Sequence, residues 1–241
     1  MDIQRTRLKL IALAFLILSG CKTPDEPQSM QPVDGYPFLT NKEEIKQLLK
    51  EKCIDTIDFK KGEVIADIGA GNGYIEAMFS LDHDSLTFYI QDIDTSVCNQ
   101  ASIGKVVDFY EKVNGAPFTN RFIVVNGTDS TTNLPDSTFD KILMLYTYQY
   151  FKRPEAFMKD VKNKLKNEGL LYIINPQVED YEYLTFIRQE YGWNASPLEK
   201  QISDIIACGF ELVRISRHWD GEEHDNPYIM VFKKKQSQPS A

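Results

Sequence analysis

The stretch VIADIGAGNGYIEAMF, residues 64–79, constrains the fold of this chain more than any other segment. An apolar, strand-forming run leads directly into Gly69, Gly71 and Gly73, and a helix-forming sequence follows. A strand, a glycine turn and a helix in this order form the beginning of a βαβ unit, in which the turn allows a ligand to approach the backbone closely. The segment therefore predicts an α/β fold with a ligand site at the carboxyl end of this strand.

Helices and buried strands alternate along most of the remaining chain. Helices are predicted for residues 41–53, 74–81, 94–114, 154–167 and 196–210, and the third is expected to be capped by Asp94 or Thr95. Strands are predicted for residues 63–70, 86–92, 121–127, 139–147, 169–176, 210–219 and 228–235. Alternation implies a mostly parallel sheet covered on both faces. The last two strands are joined by a loop alone, so they must pair antiparallel. The predicted fold is a Rossmann-like doubly wound sheet that ends in an antiparallel hairpin.

The spacing of the glycines narrows the class of ligand. It is G-x-G-x-G, whereas the dinucleotide fingerprint has its third glycine one residue later, beneath a pyrophosphate. A P-loop needs Lys and Ser or Thr after the last glycine, and here Tyr74 and Ile75 follow. The turn has little to hold a phosphate, while Asp67 at the end of the strand can meet a cationic amino group. This combination suits a zwitterionic nucleoside.

Two further acids follow the next predicted strands. Asp92 stands about 20 residues after the glycine turn, where an acid can accept both hydroxyls of a ribose. Asp129, or a neighbouring backbone amide, follows the third strand and could hydrogen-bond an adenine amino group. An alternative for Asp129 is a simple turn with Ser130.

The ordered set DIGAGNG, Asp92, GTD at residues 127–129, LPDSTFD and LKNEGLLYII resembles a class I S-adenosylmethionine-dependent methyltransferase, with a domain of type 11 or 25. The resemblance covers roughly residues 40 to 235 and implies the seven-stranded fold of that family. It also implies S-adenosylmethionine as the cofactor. The residues that it assigns to cofactor binding are Asp67, Gly69, Ala70, Gly71, Asn72, Gly73, Asp92, Ile93, Thr128 and Asp129.

Within that set the resemblance implies separate roles. Asp67 would reach the amino group of the cofactor, and residues 69–73 would lie against its methionine portion. Asp92 would hold the ribose and Ile93 would pack on the adenine. Thr128 and Asp129 would contact the adenine edge.

The segment after the fourth strand would border the methyl group, so Tyr146, Tyr148 and Gln149 are the candidate acceptor contacts. Packing in the core is the alternative for some of the aromatic residues in this segment. Relatives with similar loops often carry a Tyr-His pair at this point, and here Gln149 follows Tyr148, so a base is missing and the catalytic residues stay unassigned. Asp140 is expected to have a structural role.

Charge and cysteine usage exclude other classes of function. The formal net charge is -8 and no Lys/Arg cluster recurs, so a nucleic-acid partner is not expected. The three cysteines other than Cys21 form no C-x-x-C pair and have no partnering histidines, which predicts no metal site and buried, inert thiols. The expected acceptor is a small molecule, and the sequence indicates no oligomeric state.

The N-terminus predicts export. Basic residues precede the apolar stretch 10–18, which is shorter than a membrane span and ends in Leu-Ser-Gly-Cys. This resembles the bacterial lipoprotein box, which implies a signal peptide at 1–20 and a lipid on Cys21. The predicted organisation continues with a proline-rich tether at 21–38, the methyltransferase-like domain at 39–235 and a disordered tail at 236–241. The expected location is the bacterial cell envelope, on the periplasmic or surface side.

Two alternatives to a methyltransferase follow from the same residues. The export signal favours a membrane-tethered, non-catalytic nucleoside-binding module, because S-adenosylmethionine is made in the cytoplasm. An NAD-dependent oxidoreductase conflicts with the glycine spacing and with the terminal hairpin.

Overall fold

The computed structural model describes residues 38–52, 54–176, 181–192, 194, 196–217 and 227–236. The chain divides into two compact units, Met1–Phe38 and Leu39–Ala241, and the fold below concerns the second. The predicted signal peptide, Cys21, and all but the last residue of the tether lie outside the described residues. Among the residues that are described, no helix has the length and apolarity needed to cross a membrane.

Seven strands and six α-helices make up the described part of the domain. The strands are β1 Val64–Ile68, β2 Thr87–Asp92, β3 Arg121–Asn126, β4 Phe139–Leu145, β5 Leu165–Pro176, β6 Phe210–Arg217 and β7 Pro227–Lys234. The helices are α1 Lys42–Glu51, α2 Tyr74–Phe79, α3 Gln100–Asn114, α4 Pro154–Lys164, α5 Tyr181–Tyr191 and α6 Leu198–Ala207. Two short 3₁₀ helices span Ile54–Thr56 and Tyr148–Tyr150.

The strands form one sheet in the order β3-β2-β1-β4-β5-β7-β6. Strands β1 to β5 are parallel to one another, and β7 pairs antiparallel with both β5 and β6. This confirms the predicted fold, including the antiparallel hairpin at its end. Because β1 to β5 run in one direction, their carboxyl ends meet at one edge, and the order reverses at β1 and β4, where such folds bind ligands.

A continuous apolar cluster packs α4 and α6 against the sheet. Phe157 and Met158 of α4, Ile205 of α6 and Met144 of β4 are fully or almost fully buried in it. The ring of Tyr148 belongs to the same cluster. The hydrophobic core therefore extends to the carboxyl end of β4.

The third helix begins at Gln100, later than predicted. Asn99 is its N-cap, and its side chain accepts a hydrogen bond from the Ser102 amide at 3.0 Å. The predicted cap, Asp94, instead closes a turn in which its Oδ1 accepts from both the amide and the hydroxyl of Ser96. Asn and Asp serve equally well as caps and as turn residues, so local sequence could not choose between these two positions.

The fourth helix ends at Lys164, and β5 begins directly at Leu165, before the predicted stop at Gly169. Leu165 pairs with Phe139 of β4, and the register then shifts before Lys141 pairs with Leu170. A Cβ added at Gly169 would lie 2.7 Å from the carbonyl oxygen of Phe139. Gly169 therefore permits close contact between two strands at an irregularity and does not end a helix.

Asp140, on β4, forms hydrogen bonds to β1 and β5, which agrees with the structural role predicted for it. Its Oδ2 accepts the backbone amide of Val64 on β1 at 2.9 Å, and Lys166 on β5 donates to both carboxylate oxygens at 2.8 Å. Burial acts to raise the pKa of Asp140, but the bonds from Lys166 and Val64 outweigh it and the pKa is lowered overall. The charged form of Asp140 therefore stabilises the folded state.

Candidate functional site

The glycine turn follows β1 at the carboxyl edge of the sheet. Gly69, Gly71 and Gly73 all have positive φ, at 80°, 55° and 75°. At Gly69 an added Cβ would overlap the side chain of Thr147. The turn therefore lies directly against the segment that follows β4, and only glycine fits there without displacing Thr147.

Backbone hydrogen bonds hold the turn against β2. The amides of Gly69 and Ala70 donate to the carbonyl of Gln91 at 2.8 and 3.1 Å. The amide of Gly71 donates to Oδ2 of Asp92 at 3.0 Å, and Oδ1 of Asp92 accepts from the amide of Asp94 at 2.9 Å. The structure thus brings the turn and Asp92 together, and both carboxylate oxygens of Asp92 are oriented by the backbone.

Asp67 and Asp92 lie on neighbouring strands beside this turn. Asp67 is 3% exposed and pairs in register with Ile90, two residues before Asp92. Asn72, within the turn, is buried as well. Two acids at adjacent strand ends, with a close-packed turn between them, can receive an ammonium group and a pair of hydroxyls.

The residues predicted to contact an adenine lie beyond β2 and β3. Ile93 is 60% exposed directly after Asp92, so an apolar face is available next to the acid. Thr128 and Asp129 are exposed, and Oγ1 of Thr128 accepts from the amides of Ser130 and Thr131 at 3.2 and 3.1 Å. The amide of Gly127 donates to the carbonyl of Asp92, which ties this loop to the acid.

Tyr146 is the first residue after β4 and has a strained backbone. Its φ is +59°, unusual for an aromatic residue, and its amide donates to the carbonyl of Ile174 at 2.7 Å. The ammonium of Lys52, at the end of α1, lies 5.5 Å from the centre of the Tyr146 ring. Lys52 was not predicted as a site residue, because nothing local in the sequence connects it to the glycine turn.

Tyr148 and Gln149 differ in how deeply they are buried. Tyr148 is 1% exposed within the core, and this burial raises the pKa of its hydroxyl. Packing therefore accounts for Tyr148, and the expected contact with an acceptor is not supported for this residue. Gln149 is half-buried, and its Nε2 donates to the carbonyl of Tyr146 at 2.9 Å.

The described cysteines are buried, as predicted. Cys98 and Cys208 are free thiols, and burial raises the pKa of Cys98 to about 11, so it carries no thiolate at neutral pH. Cys53 and Cys21 lie outside the described residues. Within the part of the chain that the structure covers, no three His, Cys, Asp or Glu side chains are grouped so that they could hold a metal ion.

Comparison with known proteins identifies the domain that carries this site. Residues 66–173 match the family described as methyltransferase domain. They contain the end of β1, the glycine turn, Asp92, the loop after β3 and the segment after β4. Residues 66–173 are similar to a methyltransferase domain. This match supports the predicted class, an S-adenosylmethionine-dependent methyltransferase, and its predicted cofactor.

A curated relative also carries the name of a methyltransferase. The chain is 27% identical over 193 residues to the sphingolipid C9-methyltransferase of Candida albicans, covering 73% of this chain and 36% of the relative. It therefore spans about a third of the length of this curated relative.

Solved structures show the same fold at low identity. A S-adenosylmethionine-dependent methyltransferase of Methanosarcina mazei has a TM-score of 0.56 at 17% identity, covering 74% of this chain and 95% of its own. Phosphoethanolamine N-methyltransferase 2 of Haemonchus contortus, in complex with S-adenosylmethionine, has a TM-score of 0.55 at 12% identity, covering 80% of this chain and 53% of its own.

Proposed function

We propose that this chain transfers a methyl group from S-adenosylmethionine to a small-molecule acceptor. The observation that carries the proposal is the arrangement of Asp67, the glycine turn and Asp92 at the adjacent ends of β1 and β2. The buried carboxylate of Asp67 matches an ammonium group, and Asp92 with the exposed Ile93 matches a ribose and the base attached to it. These residues fit the cofactor of the domain.

Methyl transfer requires little covalent chemistry from the protein. When bound, S-adenosylmethionine would supply a methyl carbon that is already activated by the positive charge of its sulfur. Asp67, Asp92 and the turn orient the donor, while Tyr146 and Thr147 border the point where β1 and β4 end. A dedicated base is needed only for an acceptor that is protonated at working pH.

The acceptor is proposed to be small because the acidic chain offers no basic surface to a nucleic acid. The curated relative is named as a sphingolipid methyltransferase, and this supports including lipids among the acceptors to be tested. A lipid acceptor would also suit the proposed anchor at Cys21, which would hold the domain at a membrane of the cell envelope.

Calorimetric titration with S-adenosylmethionine tests the proposal. We expect saturable binding to the full chain, and Asp92→Ala should weaken it at least tenfold, about 1.4 kcal/mol, because the ribose hydroxyls lose their acceptor. Glu111→Ala is a matched control, since this acid lies on α3 and contacts the amide of Phe118. Absence of binding at millimolar S-adenosylmethionine would exclude the function.

A second candidate is a membrane-tethered nucleoside-binding module without catalysis. The predicted export signal favours it, because the cofactor is made in the cytoplasm. Mass spectrometry of ligand retained through purification from the native membrane separates the two. Retained S-adenosylmethionine or S-adenosylhomocysteine supports the enzyme, and a different nucleoside supports the binding module.

A further inference from the structure

Several buried side-chain polar atoms without a hydrogen bond lie on residues that follow β4, end β5 and precede α6. They include three oxygens, Oε1 of Gln149, Oδ1 of Asn175 and Oγ of Ser196, and the side-chain nitrogen Nδ2 of Asn194. Asn175 and Ser196 are only 2% and 7% exposed. A buried polar atom without a partner destabilises the folded state, so each such atom in a native protein needs an explanation.

Hydrogen bonds connect the segments that carry Gln149, Asn175 and Ser196, although these residues are far apart in sequence. The carbonyl of Gln149 accepts the amide of Asn194 at 2.6 Å, which brings the segment before α6 to the end of β4. Gln201 of α6 donates through Nε2 to the backbone carbonyl of Ser196 at 2.7 Å and accepts through Oε1 from Nδ2 of Asn175 at 3.0 Å. The three atoms therefore belong to one region of the molecule.

The same bonds determine which way each amide points. The backbone carbonyl of Ser196 can only accept, so Gln201 must present its NH₂ group there and its oxygen to Asn175 and to the hydroxyl of Tyr228. Asn175 must then donate to Gln201, which leaves its own oxygen without a donor. The carbonyl of Tyr146 orients Gln149 in the same manner. Both remaining oxygens are thus pure acceptors.

These atoms lie beside the methyl-donor turn. The amide of Tyr146 donates to the carbonyl of Ile174, the residue before Asn175, and Thr147 contacts Gly69. Gln149 and Asn175 thus lie near the carboxyl ends of β4 and β5, on the other side of β1 from Asp92 on β2.

We propose that Gln149, Asn175 and Ser196 bind the methyl acceptor, and that the acceptor presents a neutral group with N–H or O–H hydrogens to them. This inference rests on the proposed function and assigns the substrate class of the same site. Two amide oxygens accept hydrogens, and the serine hydroxyl adds a donor or a third acceptor.

The charges around these residues disfavour an ionic acceptor. Burial, together with the charge of Glu199, raises the pKa of Tyr228 to about 12, and burial together with Asp204 raises the pKa of Tyr148. The negative charges of Glu199 and Asp204 therefore reach the region and would disfavour an anion. Since none of the three binding residues is a carboxylate, a buried ammonium would lack a direct counterion.

Three probes of one size test the charge of the acceptor group: benzamide, benzoate and benzylammonium. Each is titrated into the full chain with S-adenosylhomocysteine present, and binding is followed by the side-chain amide signals of Gln149 and Asn175 in ¹⁵N NMR spectra. We expect benzamide to shift both signals at least tenfold more than either ion at equal concentration. Equal or stronger shifts with benzoate or benzylammonium, or none with any probe, would overturn the proposal.

Ser196→Ala distinguishes a binding role from a structural one. Its hydroxyl makes no hydrogen bond, so we expect an unchanged or higher Tm and at least threefold weaker benzamide binding. Ser80→Ala is the matched control, because this buried hydroxyl donates to the carbonyl of Glu76 and accepts from Asn120. The control should have a lower Tm and unchanged benzamide binding.

A lower Tm for Ser196→Ala, or benzamide binding that it leaves unchanged, would contradict the proposal. Binding of S-adenosylhomocysteine is measured in the same samples. Its absence would reject the proposed function, whereas its presence without the benzamide effect would reject the acceptor site alone.

Discussion

At the scale of single residues, Gly69 meets two separate constraints. Its φ is +80°, which disfavours any side chain, and Thr147 occupies the space where a Cβ would lie. Gly62 shares the first constraint, with φ +85°, but has nothing within 4 Å of an added Cβ. A comparison of Gly62 with Gly69 therefore separates the effect of backbone strain from the effect of the steric contact with Thr147.

Gly62→Ala should therefore lower the free energy of unfolding by about 1–2 kcal/mol through strain alone. Gly69→Ala should add about 1–3 kcal/mol for overpacking and should weaken S-adenosylmethionine binding, because the turn must move away from Thr147. Urea unfolding and calorimetry measure the two quantities. Equal losses of stability in both variants would show that Thr147 yields without cost.

At the scale of secondary-structure elements, the bonds of Asp140 tie β1 and β5 to β4. Lys166 is 44% exposed, so solvent weakens its ionic attraction to Asp140, and the hydrogen bond to the Val64 amide contributes much of the effect. The pKa of Asp140 lies below its ordinary value in the folded state. The stabilisation is therefore present above the unfolded pKa, near 3.8, and is lost as pH falls through the lower folded pKa.

Asp140→Asn should lower the free energy of unfolding by about 1 kcal/mol at pH 7, because the charged acceptor of the Val64 and Lys166 bonds becomes neutral. The difference between the variant and the native protein should shrink as pH falls from 5 to 3. Urea unfolding of both proteins at several pH values between 5 and 3 measures this difference. Asp55→Asn serves as the control for loss of one exposed acid. A difference that does not depend on pH would show that the charge of Asp140 has no part in stability.

At the scale of the whole molecule, the predicted export signal and the methyltransferase-like domain belong to one chain, and lipidation of Cys21 is the testable link between them. If Cys21 is lipidated, treatment of cells with globomycin should cause the unprocessed precursor to accumulate, and Cys21→Ser should abolish lipid incorporation. Cys98→Ser controls for loss of a thiol, since Cys98 is buried in the domain. Processing that continues unchanged in the presence of globomycin would place the cleavage elsewhere.

Much of the fold followed from the sequence because its signals are local. Apolar runs bounded by glycine and polar residues marked all seven strands, and the spacing of the glycines pointed to the class of cofactor. The errors fell at element boundaries, where Asn99 rather than Asp94 caps α3 and where Gly169 lies inside β5. Neighbouring residues offer equivalent caps and turns, and only packing chooses between them.

The sequence by itself determined the order of the elements, the glycine turn and the acids that follow β1 and β2, because chain direction puts parallel strand ends on one edge. Tertiary structure decided what depends on residues distant in the chain. It buried Tyr148 in the core and placed Lys52 over Tyr146. It also joined Asn175 and Ser196 through Gln201, and Gln149 to Asn194. These contacts depend on how α1 and α6 pack on the sheet, and no local pattern of residues encodes that packing.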